Sequence, residues 1–546
     1  MGIRRLAVAA ALTFSLATIV IAGKKENAEF DKVWNAPKST CLQKNEAVAG
    51  VLSTNVDTDT VVKMLQIMES DVWQYRGQAL MAIRDCADAK VLAELEKFLF
   101  DGKKSSKQAA AAEHTLWALY NNKNWVSAEK WTKAGDIVRG KDFPEKVKAR
   151  MIRELGAFRG DHKQGVANVK LLAPLLSETM KDKKFSRQLR FLLVDALESL
   201  TGEEFGEETE KWDFFANGLA ADAQLKPRTA TKFKDSVGDV DLEGHSFVRK
   251  AAPKGGSMEL LILPDLYKSP LYWYPYIFEL NKTFTCTFVD LPDCSRMKDL
   301  KWMKNQDGSD NRTAYYYPLE QLVEAFEKRR ETSKKAKVGL VAHGVSGWIA
   351  LEYLRLHPES VAFAIIIETW SGGNSRNQAR IALEGSKDPD WKYHGIDLVY
   401  DPSGRTGSLS LNDEQKFHSS TGSFKRRWAD PKALEPLFYT DEAFRVQPKT
   451  DTRILVPDYE FSREIKGKRI DVPTLFVHGG KDPMYVKDDE SVYRKGFNKM
   501  TWAVYENSAD TPWAEEPVRF FEEFEKLLAD HKILEKLKEE EEKQGK

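Results

Sequence analysis

The sequence predicts an all-α first half followed by an α/β second half built on a mostly parallel sheet. From about Asp57 to Phe215 apolar residues recur at helical spacing and strand signals are scarce. From Met258 onward short apolar runs alternate with helical ones, as strands joined by crossover helices do. A chain of 546 residues also exceeds one ordinary domain.

The chain opens with Arg4 and Arg5 and an apolar run from Leu6 to Ala22, so 1–23 reads as a secretory signal peptide. An uncleaved membrane anchor is the competing reading. Nothing later is apolar for long enough to span a bilayer, so the expected location is periplasmic or secreted. Acidic and basic residues number 83 each, a balance that favours neither nucleic acid nor an anionic membrane surface. Four cysteines suit an oxidising compartment, paired as Cys286 with Cys294 and Cys41 with Cys86, or all four buried and unpaired. No ligand spacing suggests a metal, and no cofactor is expected.

In the helical half, taken as 24–218, a similar segment returns at Ala79–Ile83, Thr115–Leu119, Glu154–Phe158 and Ala196–Leu200. The spacing resembles that of HEAT-like helical repeats, which stack because no single pair buries its apolar face alone. The resemblance implies a concave surface for an unknown protein partner and no chemistry; His114 reads as a packing residue. A charged stretch, 219–257, follows as linker, with a leading strand within Asp239–Ala251 and a turn at Pro253-Lys254-Gly255-Gly256.

The α/β half, 258–530, reads in order as a strand at Met258–Pro264, a helical run ending near Leu280, and a strand at Thr285–Asp290. A helix at Leu319–Arg330 comes next, then the stretch Lys337–Gly347, then strands at Val361–Ile367, Val472–Val477 and Thr501–Glu506. A helix at Phe520–Leu528 closes the domain, and 531–546 is a charged tail. The central stretch, Lys-Val-Gly-Leu-Val-Ala-His-Gly-Val-Ser-Gly, is strand, sharp turn and helix. So tight a turn excludes large side chains two residues either side of its apex. Ser346 as apex would place Trp348 in that position; Gly344 as apex places Ala342 and Ser346 there, and glycine accepts positive φ without steric cost.

Ala342-His343-Gly344-Val345-Ser346-Gly347 resembles the nucleophile elbow of the α/β-hydrolase family, usually G-H-S-x-G-G, with Gly344 where the family has serine. The resemblance covers roughly Met258 to Leu528 and implies an α/β-hydrolase-type sheet with a cap insertion, here 370–469. It places Asp482, in Val-His-Gly-Gly-Lys-Asp-Pro, at the position of the catalytic acid. The closing motif G-H-x-P-x-x-E-x-P is matched by Ser508-Ala509-Asp510-Thr511-Pro512, so Asp510 stands in the place of histidine. Two such anions together would repel, and one would hold a proton.

After the first parallel strand the family has His-Gly and this chain has Pro264-Asp265. Backbone donors of Leu266 and Val345 could line an oxyanion pocket, which Asp265 would oppose. His343 reads as a satisfied core residue, and His394 and His418 of the insertion as solvated, or else leaning over the pocket. A water-based reaction using Asp482 and Asp510 is conceivable, and nothing in the sequence selects it. The expected function is therefore non-catalytic: binding of a small-molecule ligand in the old pocket, or of a protein through the helices. The alternative is an active esterase- or peptidase-like hydrolase with a displaced constellation.

Overall fold

The computed structural model describes residues 24–52, 58–182, 185–237, 240–248, 258–265, 272–273, 276–290, 301–304, 310–316, 319–397, 411–433, 459–536 and 539. Two compact units emerge. One comprises the described residues up to Lys133 together with Gly140–Arg150; the other comprises Ala134–Arg139 and the described residues from Met151 onward. The division thus falls near Arg150, well before the charged stretch at 219–257.

Helices α1 to α12 occupy Lys24–Trp34, Cys41–Leu52, Thr58–Met68, Trp73–Asp85, Ala89–Phe100, Gly102–Lys107, Ala109–Tyr120, Ala128–Arg139, Glu145–Gly156, His162–Lys181, Arg187–Thr201 and Thr209–Gly218. The four recurring segments fall on α4, α7, the end of α9 and α11. In the first unit α7 is buried from Ala110 to Tyr120, which fits its run of alanines: small side chains let neighbouring helices close in from all sides. His114 is fully buried there, its Nδ1 within hydrogen-bonding distance of the Ala110 carbonyl. Cys86 is a buried free thiol, so the expected bridge to Cys41 is not formed. Cys286 is likewise a buried free thiol, and Cys294 lies outside the described residues.

In the second unit the sheet has eight strands, β1 (Thr231–Val237), β2 (Val240–Phe247), β3 (Glu259–Leu263), β4 (Thr285–Asp290), β7 (Val338–His343), β8 (Val361–Ile367), β9 (Thr474–Gly479) and β10 (Met500–Tyr505); β5 (Lys301–Lys304) and β6 (Asp310–Tyr316) pair separately. The order is β1-β2-β4-β3-β7-β8-β9-β10. All neighbours from β4 to β10 run parallel, while β1 and β2 are antiparallel additions at one edge. The 219–257 stretch therefore supplies two strands where the sequence reading expected one. β3, β7 and β9 are buried at every position, as strands covered on both faces must be.

Helices α13 (Ile277–Asn281), α14 (Leu319–Thr332) and α15 (Gly347–Leu356) follow their strands. α16 (Gly373–Glu384), α17 (Pro389–Asp397), α18 (Asp413–Arg427) and α19 (Phe461–Glu464) lie in the insertion. α20 (Asp489–Gly496), α21 (Pro512–Glu515) and α22 (Pro517–Asp530) complete the chain. α11 belongs to this unit through its rings. Phe191 meets Phe278 at 5.7 Å and Phe521 at 6.2 Å, and Arg187 pairs with Glu522. This contact explains why the helices after Arg150 cluster with the sheet.

Candidate functional site

In an open parallel sheet, ligands bind beyond the carboxyl ends of the strands, where the strand order reverses. Here the chain goes from β3 outward to β4 and then returns to β7 on the other side of β3. The residues just past β3 and β7, Asp265 and Gly344, therefore flank the crevice. Gly344 has φ +59° and starts a single 3₁₀ turn, Gly344–Ser346, that leads directly into α15. The Thr369 hydroxyl holds its carbonyl at 2.8 Å.

What lies over Gly344 is the Asp265 side chain. A Cβ on Gly344 would stand 2.0 Å from Asp265 Oδ1, far inside contact distance. The same Oδ1 accepts the Val345 backbone N–H at 3.0 Å. Of the two backbone donors expected for an oxyanion, Val345 is thus engaged by a carboxylate of the chain itself, and Leu266 lies outside the described residues.

His343 is fully buried and satisfied on both sides. Its Nδ1 lies 2.8 Å from the Tyr272 hydroxyl and its Nε2 3.2 Å from Asp510 Oδ1. Burial, and next the charge of Asp265, raise the Tyr272 phenol well above its ordinary range, so it keeps its proton and can donate to Nδ1. Those partners assign the proton of a neutral ring to Nε2, where it is donated to Asp510. Trp513 meets the imidazole edge-on at 4.8 Å and stacks on Trp273 at 4.2 Å, fixing the ring. The Ser346 hydroxyl is turned to the backbone, 2.9 Å from the His343 carbonyl and 3.1 Å from that of Leu263.

The structure does bring Asp482 and Asp510 together, with a cation between them that the sequence reading missed. Arg426, from the last turn of α18, places Nε 3.3 Å from Asp482 Oδ1 and Nη2 3.5 Å from Asp510 Oδ1. Burial works against the guanidinium charge, but Asp482, Asp510 and Asp265 outweigh it and keep Arg426 ionised above its usual range. Asp482 also accepts the Met484 N–H at 2.8 Å. Burial pushes the Asp482 carboxyl up, Arg426 pulls it down, and Asp510 pushes it up again, with a net rise. Glu368, just past β8, adds a third carboxyl. It has φ +48°, a strained conformation for a side chain of its kind, and accepts the Gly479 N–H. Burial first, then Asp482 and Asp510, raise it well above its ordinary value.

The same contacts fasten the insertion to the closing loop. Asp510 N–H donates to the Arg426 carbonyl at 3.1 Å and the Thr511 hydroxyl to that of Arg427 at 3.0 Å. Glu515 accepts from Ala429 N–H at 2.6 Å and from Ala509 N–H at 2.7 Å, one oxygen on each side of the junction. Burial pushes the Glu515 carboxyl up to about 8.

Of the insertion histidines, His394 is buried and His418 is only partly exposed. His418 Nδ1 lies 2.7 Å from Asp390 Oδ1. His394, on α17, is buried with neither ring nitrogen partnered among the described residues, and burial followed by Arg426 pushes it down to about 3.

No family model matches the sequence, and neither does any curated protein. Solved structures do resemble it in part. Carboxylesterase CesB from Bacillus subtilis shares 17% identity over 55% of this chain and 91% of its own, with a TM-score of 0.33. A proline iminopeptidase-related protein from Thermus thermophilus shares 17% over 55% and 97%, with a TM-score of 0.38. A bacterial membrane phospholipase A shares 14% over 56% and 87%, with a TM-score of 0.34. Among the described residues no helix is long and apolar enough to cross a membrane.

Proposed function

We propose that the chain carries an α/β-hydrolase-type domain that binds rather than hydrolyses, in a protein exported through its first 23 residues. The observation that carries this reading is the Asp265 carboxylate. It fills the space over Gly344 and takes the Val345 N–H. A tetrahedral intermediate would need both that volume and that donor, and a fixed anion there opposes the charge such an intermediate develops. The acid and histidine positions, Asp482 and Asp510, form an ion cluster with Arg426 that holds the cap in place. Ser346 and His343 point into contacts of their own, so neither replaces the missing nucleophile and base.

The helices before the sheet, read as HEAT-like, would then carry a protein-binding role, and the crevice beyond β3 and β7 a small-ligand role. The test is hydrolysis of short- and long-chain p-nitrophenyl esters by the purified protein, alongside Gly344→Ser/Asp510→His and the same pair with Asp265→Gly. The expected result is a silent wild type, a silent double variant because Asp265 still blocks the serine, and turnover in the triple variant. Wild-type turnover abolished by Asp482→Asn would overturn the proposal.

A further inference from the structure

Within the insertion, His394 is buried with both ring nitrogens unpartnered, and no other side chain among the described residues buries two polar atoms in this way. Buried polar groups are satisfied in all but a few cases, so a doubly orphaned ring is a poor choice for packing alone. Leucine would fill such a place at less cost.

The position of the ring follows from the crossing of α17 and α18. Asp390 precedes His394 by four residues and so shares its face of α17; it pairs with His418 at 2.7 Å and with Lys425. A Cβ on Gly422 of α18 would stand 2.3 Å from the Asp390 carbonyl oxygen and 2.9 Å from His394 Cβ. Only a residue without a side chain lets the two helices approach so closely. Arg426 follows Gly422 by four residues, so it projects from the side of α18 against which His394 packs.

The potential at the imidazole is positive. After burial, the strongest influences on it are Arg426 and Arg427, then Asp510 in the opposite sense, then Arg376. Two of these cations converge on one indole: Arg376 of α16 and Arg426 of α18 lie over the buried Trp370 ring, 5.8 and 5.3 Å from its centre. The neutral ring of His394 therefore offers an N–H donor at a place that favours negative charge.

We propose that the crevice under the insertion takes a small carboxylate, whose oxygens accept from the His394 ring N–H and from the guanidiniums of Arg376 and Arg426, with its apolar part against Trp370. This names a ligand class for the small-ligand role proposed above, and it rests on that reading. The flat fork of arginine matches the two oxygens of a carboxylate. A phosphate dianion carries more charge toward Asp510 and Asp482, which already hold Arg426 at 3.5 and 3.3 Å.

Isothermal titration calorimetry of the full chain at fixed ionic strength tests this, with sodium butyrate, its neutral analogue butyramide and inorganic phosphate as probes. The expected result is saturable binding of butyrate alone. His394→Leu should weaken it more than about tenfold, as loss of a hydrogen bond to a charged group does, and Arg376→Met, at a partly exposed position, should do the same. Circular dichroism of both variants separates lost binding from lost folding. The proposal is overturned if the wild type binds no butyrate, or if the folded variants bind it with wild-type affinity. Butyramide or phosphate binding as tightly as butyrate overturns the carboxylate assignment and leaves the small-ligand reading in place. Ester turnover by the wild type removes the non-catalytic reading, whereas butyrate titration of the same protein still decides this site.

Discussion

The closest packing in the site allows a double-mutant test. Gly344→Ala introduces two penalties. A side chain at φ +59° costs roughly 1–2 kcal/mol in the left-handed region. The new Cβ also falls 2.0 Å from Asp265 Oδ1, so the carboxylate must move and give up its 3.0 Å bond to Val345 N–H. A hydrogen bond to a charged group contributes about 1.5–3 kcal/mol, which puts Gly344→Ala at about 3–5 kcal/mol destabilising. Asp265→Ala alone leaves a buried N–H unpaired and costs about 1–3 kcal/mol.

The double variant should not add these costs. With Asp265 truncated, the Cβ at position 344 has room, and the Val345 bond has already been lost, so only the backbone strain and one orphaned N–H remain. The coupling should therefore be about 2 kcal/mol in the direction of rescue. Urea unfolding of the wild type, both single variants and the double variant measures it. Strict additivity would mean that Asp265 does not sit over Gly344, and the oxyanion position would then stand open.

Two further outcomes follow from the cluster around Arg426 and the Glu515 staple. Arg426→Met leaves Asp482 and Asp510 buried without their cation and should destabilise by about 3–5 kcal/mol, with most of that recovered when both are changed to Asn; equilibrium unfolding of the two variants measures this, and an Arg426→Met cost under about 1 kcal/mol would remove the ion cluster as a cap fastener. Glu515 is raised to about 8 in the fold, so the stability it lends is complete below its ordinary value, near 4.5, and is lost as pH rises through about 8. His394 and His478, pushed down to about 3, are neutral in the fold, while the unfolded chain loses its imidazole protons around pH 6.5, so they add a small opposing rise up to about pH 7.5 and almost no slope above it. Between about pH 6.5 and 8.5 Glu515 should account for a loss of about 2 kcal/mol, and Glu515→Gln should reduce the fall by that share, leaving the slopes of Glu198, pushed to about 7, and of the raised Glu368. An unchanged slope in that variant would exclude Glu515 as the titrating group.

The sheet was legible because its signals are local. Val361–Ile367 and Thr285–Asp290 are strands over the residue ranges that their apolar runs define. Gly344 could be placed at a turn because Trp348 excludes the other register. The antiparallel edge was harder, since β1 and β2 are charged and lie inside a stretch that reads as linker. The ion cluster was illegible for a different reason. Arg426 sits 56 residues from Asp482 and 84 from Asp510 along the chain, on a helix whose last turn, Lys425-Arg426-Arg427, reads as an ordinary basic C-terminus. A signal did exist for Glu368: a carboxylate at the carboxyl end of a fully apolar parallel strand stands where such sheets place their working residues.

The residues around Gly344 depend on one another. Asp265 can occupy its position only because residue 344 lacks a Cβ, and residue 344 gains nothing from a hydroxyl while Asp265 holds the Val345 N–H. Asp510 would be an uncompensated buried anion beside Asp482, but Arg426 lies between the two and His343 donates from the other side. Replacing any one of these residues therefore strands a charge or creates a clash. This interlock makes the cluster stable as a structural element. It also predicts that Gly344→Ser alone yields a less stable protein with no ester hydrolysis, because the new side chain would meet the Asp265 carboxylate.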